Sequence, residues 1–379
     1  MKTVKLFLIL TTFGFGIYFC FGNYLSTYGQ IRIQKKDLFA NWLPNREIPG
    51  VKFVGSETCN SCHTKESQSH SSMAHALVKP QNSQFWDKFP AAKFQNGGYS
   101  YKFTKQGERL IYTVSNGPNE ISEPVIYGFG EGRAGQVFVF RHNNEIYESR
   151  VTFYNKINNL DFTIAQTRDK PTSLEDALGR IIPANEVQNC FSCHSAAAVI
   201  DRKLQIETLQ TGVNCEACHG PGENHLVAVK SNNSQDLQIF NPAKLSPIDL
   251  SQEFCGSCHV GFDKVLEMSG EIVTVRFQPY RLFNSEGHNP NDARLSCIAC
   301  HSPHDKIIQT PTFYDAKCLT CHLSNDKNVK KTTQTAPFCP VKNENCVTCH
   351  MPKTEVPDMH FNFTDHWIRV VRANEKIPK

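Results

Sequence analysis

One short pattern, repeated seven times, decides what this chain can become. Two cysteines stand three apart with a histidine directly after the second at Cys59-Cys62-His63, Cys190-Cys193-His194, Cys215-Cys218-His219, Cys255-Cys258-His259, Cys297-Cys300-His301, Cys318-Cys321-His322 and Cys346-Cys349-His350. With 16 Cys and 15 His in 379 residues, chance supplies about 0.03 copies, so seven demand a chemical reason. Two thiols at this spacing reach two vinyl groups on one planar macrocycle, and the adjacent imidazole falls beneath its metal. C-x-x-C-H is the attachment signature of c-type haem. Structural zinc takes such cysteine pairs two per ion; seven is odd, and zinc gives no reason for a histidine after every pair. A redox dithiol occurs once, beside a βαβ pattern, and no such pattern is visible. The expectation is seven covalently bound haem c groups, each held by its two motif cysteines. His63, His194, His219, His259, His301, His322 and His350 are then the proximal iron ligands.

This density limits the fold. From Cys190 to His350 six motifs share 161 residues, about 27 per haem. Segments so short cannot bury an apolar core of their own, so the porphyrins are expected to form the interior. The fold class predicted is mainly α with much irregular structure, a multihaem cytochrome array, plus a small antiparallel β-subdomain between the first and second haems. That subdomain is read from the long motif-free gap after His63. Tyr99–Thr104, a KQGE turn and Leu110–Ser115 alternate like one hairpin; Gln136–Arg141, an Asn143-Asn144 turn and Ile146–Tyr154 read as a second. The glycines between them do not follow the G-x-G-x-x-G spacing, which excludes a dinucleotide loop. The expected organisation is an N-terminal signal or membrane anchor over 1–29, a linker over 30–50, and the first haem segment over 51–95. A haem-free β-subdomain over 96–175 and a six-haem domain with C-terminal tail over 176–379 follow. First cysteines of successive later motifs lie 25, 40, 42, 21 and 28 apart, so no solenoid period exists.

Lys2 and Lys5 precede an apolar stretch, Leu6 to Gly22, the pattern of an export signal. No A-x-A cleavage site follows, and the stretch is just long enough to span a bilayer. Positive charge on its amino side predicts a body on the periplasmic side of the inner membrane. The formal charge of +4 invites no nucleic-acid partner, because each haem with both propionates ionised adds roughly −1 when ferric and roughly −2 when ferrous.

Eight histidines remain beyond the proximal seven, nearly the number needed for bis-histidine irons. Candidate distal ligands are His75, His70, His225, His288, His304, His360 and His366; His142, in an Asn-rich turn, reads as an ordinary surface residue. His304 lies only three residues after His301. Two axial ligands must approach opposite faces of a rigid plane, and three residues cannot wrap around it. His304 is therefore expected on a neighbouring iron, and His225, six residues after His219, likewise. Asp365 beside His366 and Asp305 beside His304 are candidates to hold an imidazole N–H.

The segments CEACHGPGENH (215–225), CIACHSPHD (297–305), CVTCHMPK (346–353) and FTDHWIR (363–369), with NPAKLSP (241–247) between, resemble the multihaem c-type cytochromes. Within these, the chain is similar to the group around the tetrahaem electron-transfer cytochrome of ammonia oxidisers and, more distantly, the hydroxylamine-oxidoreductase-like proteins. The resemblance implies distal roles for His225, His304 and His75. Seven motifs exceed the tetrahaem pattern. Two functions fit: an electron-transfer relay outside the cytoplasm, or a multihaem oxidoreductase acting on a small nitrogen or sulfur compound at one open haem. No lysine variant of the motif marks such a haem, and the relay is the leading expectation. Its expected partners are redox donor and acceptor proteins, a membrane quinol-linked complex among them, with the membrane reached through the N-terminal segment.

Overall fold

The structure is a computed structural model that describes residues 47–64, 68–130, 134–232, 237–268, 272–285, 288, 295–322, 339, 344–372 and 375. The expected anchor over 1–29 and most of the linker lie outside the described residues. Among the described residues no helix is long and apolar enough to cross a membrane.

Alternating apolar and polar residues from Lys93 onward build a sheet far larger than the expected subdomain. Its strands are β1 (Leu77–Val78), β2 (Lys93–Asn96), β3 (Tyr99–Gln106), β4 (Arg109–Asn116), β5 (Asn119–Phe129), β6 (Val137–His142), β7 (Glu145–Ser149) and β10 (Gly179–Ile181). They pair antiparallel in the order β10-β7-β6-β5-β4-β3-β2, with β1 on β5. A hairpin of β8 (Val151–Tyr154) and β9 (Asn159–Phe162) belongs with them. Asn143 and Asn144 take φ of 47° and 68°, the left-handed pair that a two-residue hairpin turn requires.

The expectation of a mainly α chain is thereby overturned: about 36% of the described residues are helix and 25% strand, with a large curled antiparallel sheet. The physical reason lies in the apolar periodicity. β3 and β6 each place alternate aromatic residues on one face, and with aromatic residues of neighbouring segments these make a core without any cofactor. Phe89, Phe103, Tyr112, Phe138, Phe140 and Phe153 are fully buried together, with Phe89 edge-on to Phe138 at 5.2 Å and Phe103 against Phe138 at 4.5 Å. Helix α2 (Leu174–Leu178) closes this core with Ala177 and Leu178.

A second cluster lies on helix α3 (Ala184–His194), which carries the second C-x-x-C-H motif. Val187 and Phe191 of α3 pack with Leu77, Tyr127, Val139 and Leu209. Phe129 of β5 meets Phe191 and the His194 ring edge-on, each at 5.1 Å. Sheet and motif region are thus joined at the second motif. Short pairs follow: β11 (Ser195–Ala196) with β14 (Gln210–Thr211), β12 (Val199–Ile200) with β13 (Lys203–Leu204), and β15 (Lys353–Val356) with β16 (Phe361–Thr364). Beyond α3 most of the described helices are of four to eight residues, Pro311–His322 with 12 being the exception, which is where the irregular character expected from motif density does appear.

Candidate haem-binding centres

Each motif closes a helical turn. The first runs off α1 (Ser56–Asn60), where the N–H groups of Cys62 and His63 both reach the Cys59 carbonyl, at 3.2 and 2.9 Å. The second ends α3. The third is α4 (Cys215–His219), which is followed by α5 (Glu223–Lys230). The fourth spans a π-turn, Asp249–Cys255, and α6 (Gly256–His259); α7 (Phe262–Glu267) and α8 (Gln278–Phe283) follow it. The last three are carried by α9 (Cys297–Cys300), α10 (Pro311–His322) and α11 (Cys346–His350). Residues three apart on a helical turn share a face, so this local geometry lets both thiols of a motif serve one planar group.

Thiols of different motifs also meet. Cys59 faces Cys215, Cys193 faces Cys258, Cys255 faces Cys297 and Cys318 faces Cys346. The first motif therefore adjoins the third, the second the fourth, the fourth the fifth, and the sixth the seventh. Cys318 also lies within electrostatic reach of Cys300 and Cys255 of Cys218, which links these pairs into one array.

The histidines form three further pairs. The rings of His63 and His225 lie 6.3 Å apart and 29° from parallel. His219 and His304 lie 6.2 Å apart at 37°, and His301 and His366 6.2 Å apart at 43°. Each pair joins a motif histidine to one from another segment. These distances are too long for stacked rings in contact. Several of these histidines are also turned by a backbone carbonyl. Nδ1 lies 2.9 Å from the Phe240 carbonyl in His219, 2.7 Å from that of Leu237 in His225, and 3.0 Å from that of Thr364 in His366. In His194 it lies 2.8 Å from the Ala76 carbonyl. An Nδ1–H donated to a carbonyl fixes the tautomer and leaves the Nε2 lone pair for a metal. Burial lowers the pKa of His194, His259 and His301, and that of His366 to about 4, so these rings are neutral, the form that binds iron. Neutral imidazoles spaced to leave room for one metal, each beside paired thiols, fit c-type haem.

Buried carboxylates hold the segments together. Glu216, inside the third motif, is 1% exposed and accepts bonds from Val54 N, Gly55 N and Gly222 N, each at 2.8 Å, and from Gln210 Nε2 at 3.0 Å. Asp315 of α10 accepts from Asn345 N and Cys346 N at 2.7 and 2.8 Å, capping the seventh motif from the sixth motif's helix. Asp365 is fully buried between Arg281 (2.8 and 2.7 Å) and Arg369 (2.8 Å), and both guanidinium groups lie over Trp367. This cluster presents His366 to His301. Its carboxylate therefore engages arginines and not the neighbouring imidazole, contrary to the expectation for Asp365. Nothing in the sequence marked Arg281 or Glu216; only the contacts reveal them.

Other expected ligands are placed elsewhere. His360 Nε2 is bonded to Asp161 at 2.8 Å and its ring is edge-on to Tyr154, tying the β15–β16 hairpin to β9. His142 bonds Glu123 and Asn143 on the β6–β7 turn. His288 packs on Phe283 at 5.3 Å. His70 and His75 lie on 3₁₀ turns, and among the described residues neither meets a motif histidine.

Residues 143–220 match the family model described as cytochrome c554 and c-prime. The matched stretch runs from the β6–β7 turn through α4 and contains the second and third motifs. The match covers about a fifth of the chain and supports a c-type cytochrome, a class with covalently bound haem c that transfers electrons. No curated protein matches, and no solved structure does.

Proposed function

We propose that the chain is a heptahaem c-type cytochrome that relays electrons outside the cytoplasm, tethered through its N-terminal segment. The observation that carries this reading is the 6.2–6.3 Å spacing of the three histidine pairs. A metal–imidazole bond of about 2.0 Å, with a further 1.1 Å or so to the ring centre, separates two rings on one metal by about 6.2 Å. His63 and His225 thus hold the first iron, His219 and His304 the third, and His301 and His366 the fifth. His304 and His225 each serve a haem other than the one attached just before them, and such crossed ligation draws neighbouring haems together.

When bound, each haem supplies one iron that accepts and returns a single electron. The residues do the rest. Thioethers fix each macrocycle, backbone carbonyls hold His219, His225 and His366 by Nδ1, and at the first, third and fifth irons two histidines leave no open coordination position for a substrate. Contacts between motifs keep successive centres adjacent. The kinship with hydroxylamine-oxidoreductase-like proteins rests on the motif segments alone. Redox donor and acceptor proteins, including a quinol-linked membrane complex, are the partners this reading implies.

Low-temperature electron paramagnetic resonance of the oxidised holoprotein tests the ligation. His225→Ala, His304→Ala and His366→Ala should each replace one low-spin signal with a high-spin one. A protein whose low-spin signals are unchanged by all three contradicts the reading.

A further inference from the structure

Resting on that ligation, we infer that Glu216 is a redox-positioning residue that makes the first and third haems the low-potential, electron-donating end of the array. Its partners carry the inference. Both carboxylate oxygens of Glu216 accept two N–H bonds: Oε1 from Val54 N and Gly222 N, Oε2 from Gly55 N and Gln210 Nε2. The Gln210 amide is oriented by Asn214, which donates to its oxygen at 2.7 Å. Four donors and no acceptor define an ionised carboxylate, since a protonated one must donate. None of the four partners carries a charge. Glu216 is therefore a buried anion balanced by dipoles and not by a cation, unlike Asp365 with its two arginines.

Its position aims that charge at two centres. Glu216 lies between Cys215 and Cys218 of the third motif, and two of its donors, Val54 N and Gly55 N, lead directly into α1 of the first. A Cβ at Gly222 would stand 2.8 Å from Val54 Cγ2, so a side chain there would have to displace Val54. The Gly220-Pro221-Gly222 loop thus lies directly on the segment entering the first motif, and α5 follows with His225. A fixed negative charge in a low-dielectric setting favours the ferric over the ferrous iron. Both irons beside Glu216 are held towards the oxidised state, so an electron placed there moves onward. The same bonds set the approach of His225 to His63, which makes the residue geometric as well as electrostatic.

Redox titration of the holoprotein followed by paramagnetic resonance separates these roles, with the first and third irons identified by the signals lost in His225→Ala and His304→Ala. Glu216→Gln removes the charge, and Gln210→Lys neutralises it without touching Glu216. Both should raise the reduced-to-oxidised ratio of the first and third irons about tenfold at a fixed applied potential, about 59 mV for one electron. Glu216→Asp keeps the charge and should stay near the parent ratio. The signal lost in His366→Ala should titrate unchanged in all three. Unmoved first and third irons in Glu216→Gln and Gln210→Lys overturn the proposal, as does an equal shift of every iron or an equal shift in Glu216→Asp. Should His225→Ala and His304→Ala remove no signal, the ligation beneath the proposal fails, and that outcome is distinct from the others.

Discussion

At the scale of single residues, the seven C-x-x-C-H motifs are read from the sequence by their fixed spacing alone. Their partners are not. His366 lies 65 positions from His301, and only the burial of Asp365 against Arg281 and Arg369 brings the two rings together. Crossed ligation by His304 and His225 could be argued from chain length, since a three-residue link cannot span a porphyrin plane; which iron each reaches could not. His360, a further candidate, is placed with its Nε2 against Asp161. The buried ion cluster yields a direct prediction. Asp365→Ala leaves two arginines without their counter-charge and should cost about 3–5 kcal/mol of stability, measured by denaturant unfolding. It should also abolish the low-spin signal that depends on His366. A variant with parent stability would show that the cluster does not hold the terminal segment.

At the scale of elements, the two hairpins read from alternation lie where strands β3–β4 and β6–β7–β8 form. What was not legible was their extent. β5 carries Pro124 among acidic residues and still runs from Asn119 to Phe129; β1 and β10 are too short to show a period. A small subdomain is therefore an eight-stranded sheet with its own aromatic core. Phe138→Ala should cost about 3–5 kcal/mol in thermal unfolding of the strand signal, while the signal from the His301–His366 pair persists. Loss of that signal along with the sheet would mean that the two regions fold as one. On the helical side, Asp315→Asn weakens the cap on α11 from α10. It should lower stability by about 1 kcal/mol and perturb the sixth and seventh haems alone; haem-resolved spectra unchanged from the parent would remove Asp315 from that role.

At the scale of the whole molecule, the chain combines two ways of building an interior. The sheet buries phenylalanines and tyrosines as any β-fold does. Among its described residues the motif region has few fully buried apolar side chains and many half-buried thiols, and on the proposed reading macrocycles fill its volume. A chain prevented from acquiring haem should therefore keep its strand circular dichroism while losing protection from proteolysis across 190–350. Uniform collapse or uniform survival would contradict this division. Adjacent thiols connect the first motif through the third, fourth and fifth to the sixth and seventh, the arrangement an electron relay needs. Carbon monoxide added to the reduced protein should barely shift the Soret band; a strong shift would favour a haem open to substrate. The account stands most directly on the number of covalent haems, and intact mass spectrometry of the mature protein counts them. The predicted mass exceeds that of the polypeptide by seven haem groups; a mass equal to the polypeptide alone, or to fewer additions, contradicts it.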